Sequence, residues 1–292
     1  MTSLGKLYDY SLGDVGVEVF LFLSGMGLYF SLTRNSDIKS FYERRFKRIL
    51  PTFIIVSVTY YYWLNFIYKD TGIWGFIRGE FFIDFFRIHD KTYWFILLIL
   101  LMYLVFPYLY IFLLPSKKKR TLRLVLLFIA WLVLIIALWF INGPLFNNVE
   151  ILLFRIPIFI LGLFFAPKIM KDEHLTKYEL SVLLSIFTLK LIFIRASILP
   201  IKGRIIAIFW AFPIMFMSVW LCRNFIVKNG TLDKFIKWTG SLSLELYTIH
   251  VSLREIFNAY GFSMAIVWHY MIMVVLTYIM AVLLKRLHRI HN

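Results

Sequence analysis

Cysteine is almost missing from this chain: Cys222 is the single one. An intrachain disulfide and a cysteine-based metal cluster are therefore excluded. Acidic residues are scarce, 16 Asp and Glu against 32 Lys and Arg, so the 292 residues carry a net charge of +16. The ligand spacings of zinc sites do not occur, and no second histidine stands four residues from His250. A Gly-x-Ser-x-Gly elbow and a P-loop are absent as well. Residues 1–13 are polar and lack the basic-then-apolar order of a cleavable signal peptide. No low-complexity stretch, long linker or internal repeat divides the sequence, so 1–292 reads as one membrane-embedded domain.

What the chain does have is apolar length. Hydrophobic residues make up 61% of it, and the mean hydropathy is +0.79. Soluble domains run nearer 45–50%. Segments of roughly 20 apolar residues recur, each enough for a hydrocarbon core of about 30 Å. The expected fold class is all-α, a polytopic transmembrane helix bundle. Nine spans are expected, near 14–32, 49–67, 93–114, 122–141, 151–167, 179–198, 205–222, 239–257 and 264–284. Pro51, Pro115 and Pro167 are expected at span edges, whereas Pro157 and Pro213 fall inside spans and are expected to kink them. Residues 73–87 alternate aromatic and charged side chains and read as an interfacial or re-entrant helix.

The positive charge follows the loops. Residues 33–48 hold six Lys and Arg and residues 142–150 hold none, and the alternation continues at nearly every loop. The positive-inside rule then places residues 34–48 and the C-terminus in the cytoplasm and the N-terminus outside. It also accounts for the basic balance without a nucleic-acid partner. An external N-terminus is unusual for such a chain; one more span upstream would return it to the cytoplasm and make ten.

Ionisable groups inside apolar segments are the first functional candidates. Glu18 lies one turn into the first span, either as an interfacial carboxylate or as a site residue. Arg155 lies beside Pro157, where it either snorkels to the surface or meets a polar partner within the bundle. Ser243, Tyr247 and His250 share a helical stripe, with Glu245 away from it; His250 is read equally as a proton relay or a hydrogen-bonded structural residue. Arg44, Arg45, Lys47 and Arg48 form a basic elbow at the mouth of the second span. Arg45 and Arg48, three apart, point the same way on a helix. Arginine forks suit phosphate oxygens, and a topology anchor on anionic lipid is the other reading.

Several ordered blocks resemble the membrane acyltransferase-3 family, integral-membrane O-acyltransferases of bacterial surface polysaccharides. The stretch Gly16 to Gly25, GVEVFLFLSG, is similar to the family's GVDLFFVLSGF block. Phe41 to Pro51, FYERRFKRILP, is similar to its basic block, with Arg45 and Arg48 as the Arg-x-x-Arg motif. Thr92-Tyr93-Trp94 with Tyr103 and Pro107, then Phe154-Arg155 to Gly162, then Ser241, Tyr247 and His250, follow in the family's order. The resemblance implies acyl transfer, with acetyl as the expected group, from acyl-coenzyme A to a hydroxyl of a cell-surface or lipid-linked carbohydrate at the plasma membrane. Acyl-coenzyme A is then a co-substrate, with no bound cofactor and no metal. Arg44, Arg45 and Arg48 are the implied donor grip, and Glu18, Trp94, Arg155, Tyr247 and His250 the implied cavity residues. The family's first helix, with an arginine and the histidine held to be catalytic, has no counterpart before residue 14. A late start, a disrupted gene, a truncated product or a chain that has lost activity is the expected cause. The alternatives are a transporter or flippase of a polysaccharide precursor and an inactive membrane remnant.

Overall fold

The computed structural model describes residues 3–114, 117–171, 229–263 and 266–290. Every element among them is helical. In chain order these are α1 (Ser3–Arg34), α2 (Ile38–Tyr62), a π-helical turn (Trp63–Tyr68), α3 (Gly72–Glu80), α4 (Ile83–Ile88), α5 (Trp94–Leu113), α6 (Lys117–Ile141), α7 (Gly143–Leu153), α8 (Ile156–Met170), α9 (Gly230–Ser241), α10 (Ser243–Ala259) and α11 (Val267–Ile290). Two compact units emerge, residues 1–41 with 102–224 and residues 42–101 with 225–292.

Among the described residues, six segments are long and apolar enough to cross a membrane: Gly16–Arg34, Ile38–Tyr68, Trp94–Leu113, Lys119–Ile141, Gly143–Met170 and Val267–Leu287. They coincide with six of the nine expected spans. The expected spans 179–198 and 205–222, with Pro213, lie outside the described residues. The span expected at 239–257 is instead broken at Leu242, between α9 and α10. Glu245, His250, Arg254 and Glu255 dilute its hydropathy, and α10 is 17 residues long.

In the first unit, α1 packs along α8. Gly25 faces the carbonyl of Phe159, and Gly162 faces the carbonyl of Phe22. A side chain at either position would meet backbone, so the two backbones approach at a crossing of small residues. On the other side, α6 packs on α7 through Ile135, Phe146 and Phe154. The Trp131 indole N–H donates to the Leu153 carbonyl at 2.7 Å.

Prolines sit differently from expectation. Pro51 and Pro167 lie inside α2 and α8. A proline at 167 withholds the N–H that the Leu163 carbonyl would accept. The Arg120 guanidinium supplies the missing donor, reaching Leu163 O at 3.3 Å and also Phe164 O. Arg123 similarly donates to Phe112 O near the end of α5, at 2.7 Å. These two residues of the basic 115–123 segment thus close backbone ends as well as carrying charge. Pro157 does not kink a continuous helix. The span stops at Leu153 and restarts at Ile156, with Pro157 in the first turn of α8, where no N–H is required.

α2 begins in the first unit, where the Asp37 carboxylate just ahead of it accepts from the N–H groups of Lys39 and Ser40, and continues into the second. Residues 73–87 form two short helices rather than one. Phe82 separates them at φ 59, an uncommon conformation for a bulky residue, and its ring stacks on Phe53 at 5.4 Å. Arg78 and Asp84 bridge the break at 3.3 Å. Further along, α10 packs on α11 through Ile249, Ala281 and Leu284.

Candidate functional site

The first unit brings two of the expected residues together. Arg155 occupies the gap between α7 and α8, because Phe154 and Arg155 close the end of α7 through bonds to Glu150 O and Leu152 O. Its side chain enters the bundle and is 1% exposed, as is that of Glu18 on α1. Arg155 Nε lies 3.7 Å from Glu18 Oε1, and Nη1 donates to Ile151 O at 3.2 Å. The Gly25–Gly162 crossing draws α1 against α8, which makes this approach possible. Neither side chain reaches the protein surface: both are enclosed by the helices of the first unit.

In the second unit, the basic elbow belongs to the opening turns of α2. Arg44, Lys47 and Arg48 are exposed, while Arg45 is half-buried. The outward pair is therefore Arg44 and Arg48, four apart on one face, and the Arg45–Arg48 pair of the motif is divided in its surroundings. Two outward guanidiniums on one helical face are suited to an anion with several oxygens.

Trp94 opens α5, with its ring edge-on to Phe95 at 5.8 Å. Phe95 in turn meets the Tyr247 ring at 5.0 Å. His250 is half-buried on the same helix as Tyr247. The stripe Ser243, Tyr247 and His250 is only partly enclosed. The buried polar stripe of α10 is Glu245, Thr248 and Ser252.

Three groups of polar contacts escaped the sequence reading. The Tyr93 hydroxyl lies 2.6 Å from Ser252 Oγ. Ser252 donates its own proton to Thr248 O at 2.8 Å, so Tyr93 is the donor of the pair. Asp90 accepts from Thr92 N, Thr92 Oγ1 and Tyr61 OH at 3.0, 2.6 and 3.1 Å. Ser57 on α2 donates to Glu80 Oε1 at 2.8 Å. Burial raises the Glu80 carboxyl above the ordinary 4.5, and the Ser57 bond opposes that rise. Together these bonds fix the segment entering α5 and hold Trp94 at its first position. The signal for Tyr93 was only its place beside Trp94; nothing in the local pattern of Glu80, Asp90 or Ser252 pointed to a partner.

A family model described as an acyltransferase domain matches residues 2–286. The chain belongs to the membrane acyltransferase-3 family. Its activity is accordingly transfer of an acyl group other than an aminoacyl group, and its apolar helices are those of a membrane protein. No curated protein and no solved structure matches the sequence. Within this acyltransferase, the geometry supplies an outward basic face at the head of α2, a buried carboxylate–guanidinium pair, and a half-buried histidine on a helix held by Tyr93.

Proposed function

We propose that this acyltransferase carries an acyl group, acetyl in the simplest case, from acyl-coenzyme A to a hydroxyl of a cell-surface or lipid-linked carbohydrate. It does so as a multi-pass protein of the plasma membrane, with nine or more spans, the C-terminus in the cytoplasm and the first residues of the chain outside. The observation that carries the reading is the family match along residues 2–286. The donor side is supported by the exposed Arg44, Lys47 and Arg48, whose charges suit the phosphates of coenzyme A.

The chemistry requires three events. A base takes the proton from the acceptor hydroxyl, the oxygen attacks the thioester carbon, and the carbon–sulfur bond breaks. The thiolate then leaves on coenzyme A and is protonated. His250 is the candidate base among the described residues; the family resemblance adds a histidine on a helix preceding Gly16. Glu18 and Arg155, buried together, are suited to organising the core around the substrates rather than to taking the proton.

The test uses membranes carrying the chain, alone and with the in-frame sequence upstream of it, supplied with isotope-labelled acetyl-coenzyme A. Label is expected in the glycan or glycolipid fraction. His250→Gln is expected to lower the rate by about 100-fold or more if it is the base. Failure of both membrane preparations to label any carbohydrate fraction refutes the donor–acceptor pairing.

A further inference from the structure

The residues between the expected spans 205–222 and 239–257 contribute most of a helix, α9, whose composition is two-sided. Leu232, Phe235 and Ile236 lie on one arc, and Lys234 and Lys237 lie on the opposite one. No residue of α9 is buried. Phe235 is 53% exposed and Trp238 44%. A helix of this kind, left bare on its apolar side, is unstable in water and suited to an interface.

Its place against α11 says which interface. Lys285 donates to both the carbonyl and the hydroxyl of Ser241, each at 2.8 Å. Trp238 stacks on Tyr278, ring centres 6.0 Å apart and 22° from parallel. Both partners belong to a helix of membrane-crossing length, whose apolar run ends at Leu284, before Lys285 and Arg286. The end of α9 thus meets α11 over about two turns: Ser241 at the first charged residue after the apolar run, and Trp238 about 10 Å nearer its apolar middle, at Tyr278.

The charges point to the headgroup class. Lys234, Lys237 and Arg286 are exposed around this junction, with Lys285 half-buried. Asp233 is the acid within α9, and it is bonded to Lys237 at 2.6 Å. We propose that α9 lies in the membrane interface, its Leu232–Phe235–Ile236 face in the acyl boundary and its lysines on the headgroups of anionic phospholipid. The segment then acts as a lipid-contacting brace for the end of α11, apart from the transfer reaction.

A depth measurement tests this in the full chain. With Cys222→Ser removing the native thiol, nitroxides are placed at Phe235→Cys and, separately, Lys234→Cys. Each protein is reconstituted in vesicles of phosphatidylcholine alone or mixed with phosphatidylglycerol. The expected result is high oxygen and low nickel-chelate collision at 235, the reverse at 234, and a deeper 235 probe when phosphatidylglycerol is present. Adding Lys234→Gln and Lys237→Gln to the Phe235→Cys protein is expected to weaken phosphatidylglycerol binding by about fivefold per lysine, the equivalent of about 1 kcal/mol each. Equal nickel access at both positions means a helix in water and overturns the proposal. Shielding of both from both reagents means protein covers the face and overturns it too. Equal depth in the two vesicle types removes the anionic-lipid assignment. All three positions are exposed, and a monodisperse detergent-extracted protein shows that folding is intact.

Discussion

Glu18→Gln isolates the energetic role of the buried pair. The substitution keeps size and removes the charge facing Arg155. At 3.7 Å, the attraction of unit charges in an effective dielectric of about 20 is about 4 kcal/mol. Removing one member of a buried pair costs about 3–5 kcal/mol by mutational precedent. The separation is long for a direct hydrogen bond, so the lower end, about 3 kcal/mol, is the expected loss. Arg155 keeps its bond to Ile151 O but loses the charge of Glu18 at a site where it is 1% exposed. Thermal unfolding in detergent is expected to fall by about 5 °C. The double replacement Glu18→Met with Arg155→Leu is expected to recover most of that loss, because two desolvated charges are removed together. A Glu18→Gln loss under about 1 kcal/mol, or a double variant as unstable as the sum of the singles, would refute the reasoning.

Arg120→Ala should leave the Leu163 carbonyl without its donor and cost about 1–3 kcal/mol; adding Pro167→Ala restores an N–H there, so the second change should recover stability in the first variant while doing little alone. Gly162→Val forces a side chain against the Phe22 carbonyl, and a loss of at least about 1–3 kcal/mol is expected in the same unfolding assay; wild-type stability would mean that α1 and α8 do not cross there. The Glu80 carboxyl is raised in the folded state by burial, so its contribution is fully present below the unfolded value of 4.5 and is lost as pH rises through the folded one. Amide exchange in α3 should therefore quicken with pH beyond its intrinsic chemistry, and Glu80→Gln should abolish that excess. Arg44→Ala with Arg48→Ala should raise the donor KM by about tenfold or more at low salt, given about 1.5–3 kcal/mol for each charged hydrogen bond, and an unchanged KM would return the elbow to a topology anchor.

Membrane-length helices were legible because hydropathy is a sum over a window and needs no partner. Six of the expected spans fall on helices of the required length for that reason. The ordered blocks were legible too, since Gly16 to Gly25 and Phe41 to Pro51 are each contiguous. Helix ends were read less well. Pro51 and Pro167 looked like boundaries because proline removes a donor, yet that loss is local and another group can make it good. Arg120 does so for Leu163 from 43 positions away, a distance along the chain that no window of local pattern spans.

The same limit explains the polar residues of α10. Periodicity correctly set Ser243, Tyr247 and His250 on one stripe and Glu245 off it, but periodicity has no origin: it says which residues share a face and not which face is inside. The core is chosen by what packs there. Ile249 meets Ala281 and Leu284, and Tyr93 bonds Ser252, so the turn is fixed with Glu245, Thr248 and Ser252 inward. Arg45 repeats the lesson on α2, where its spacing to Arg48 is helical but its enclosure is not shared. If Tyr93 sets the rotation of α10, then Tyr93→Phe, which keeps the ring and removes only the donated proton, should loosen that face. Exchange at Thr248 and Ser252 is then expected to quicken by about tenfold, for a hydrogen bond worth about 1 kcal/mol or somewhat more, while exchange in α11 away from the contact stays as it was. Unchanged exchange at Ser252 would mean that apolar packing alone orients the helix and that the hydroxyl pair follows from it.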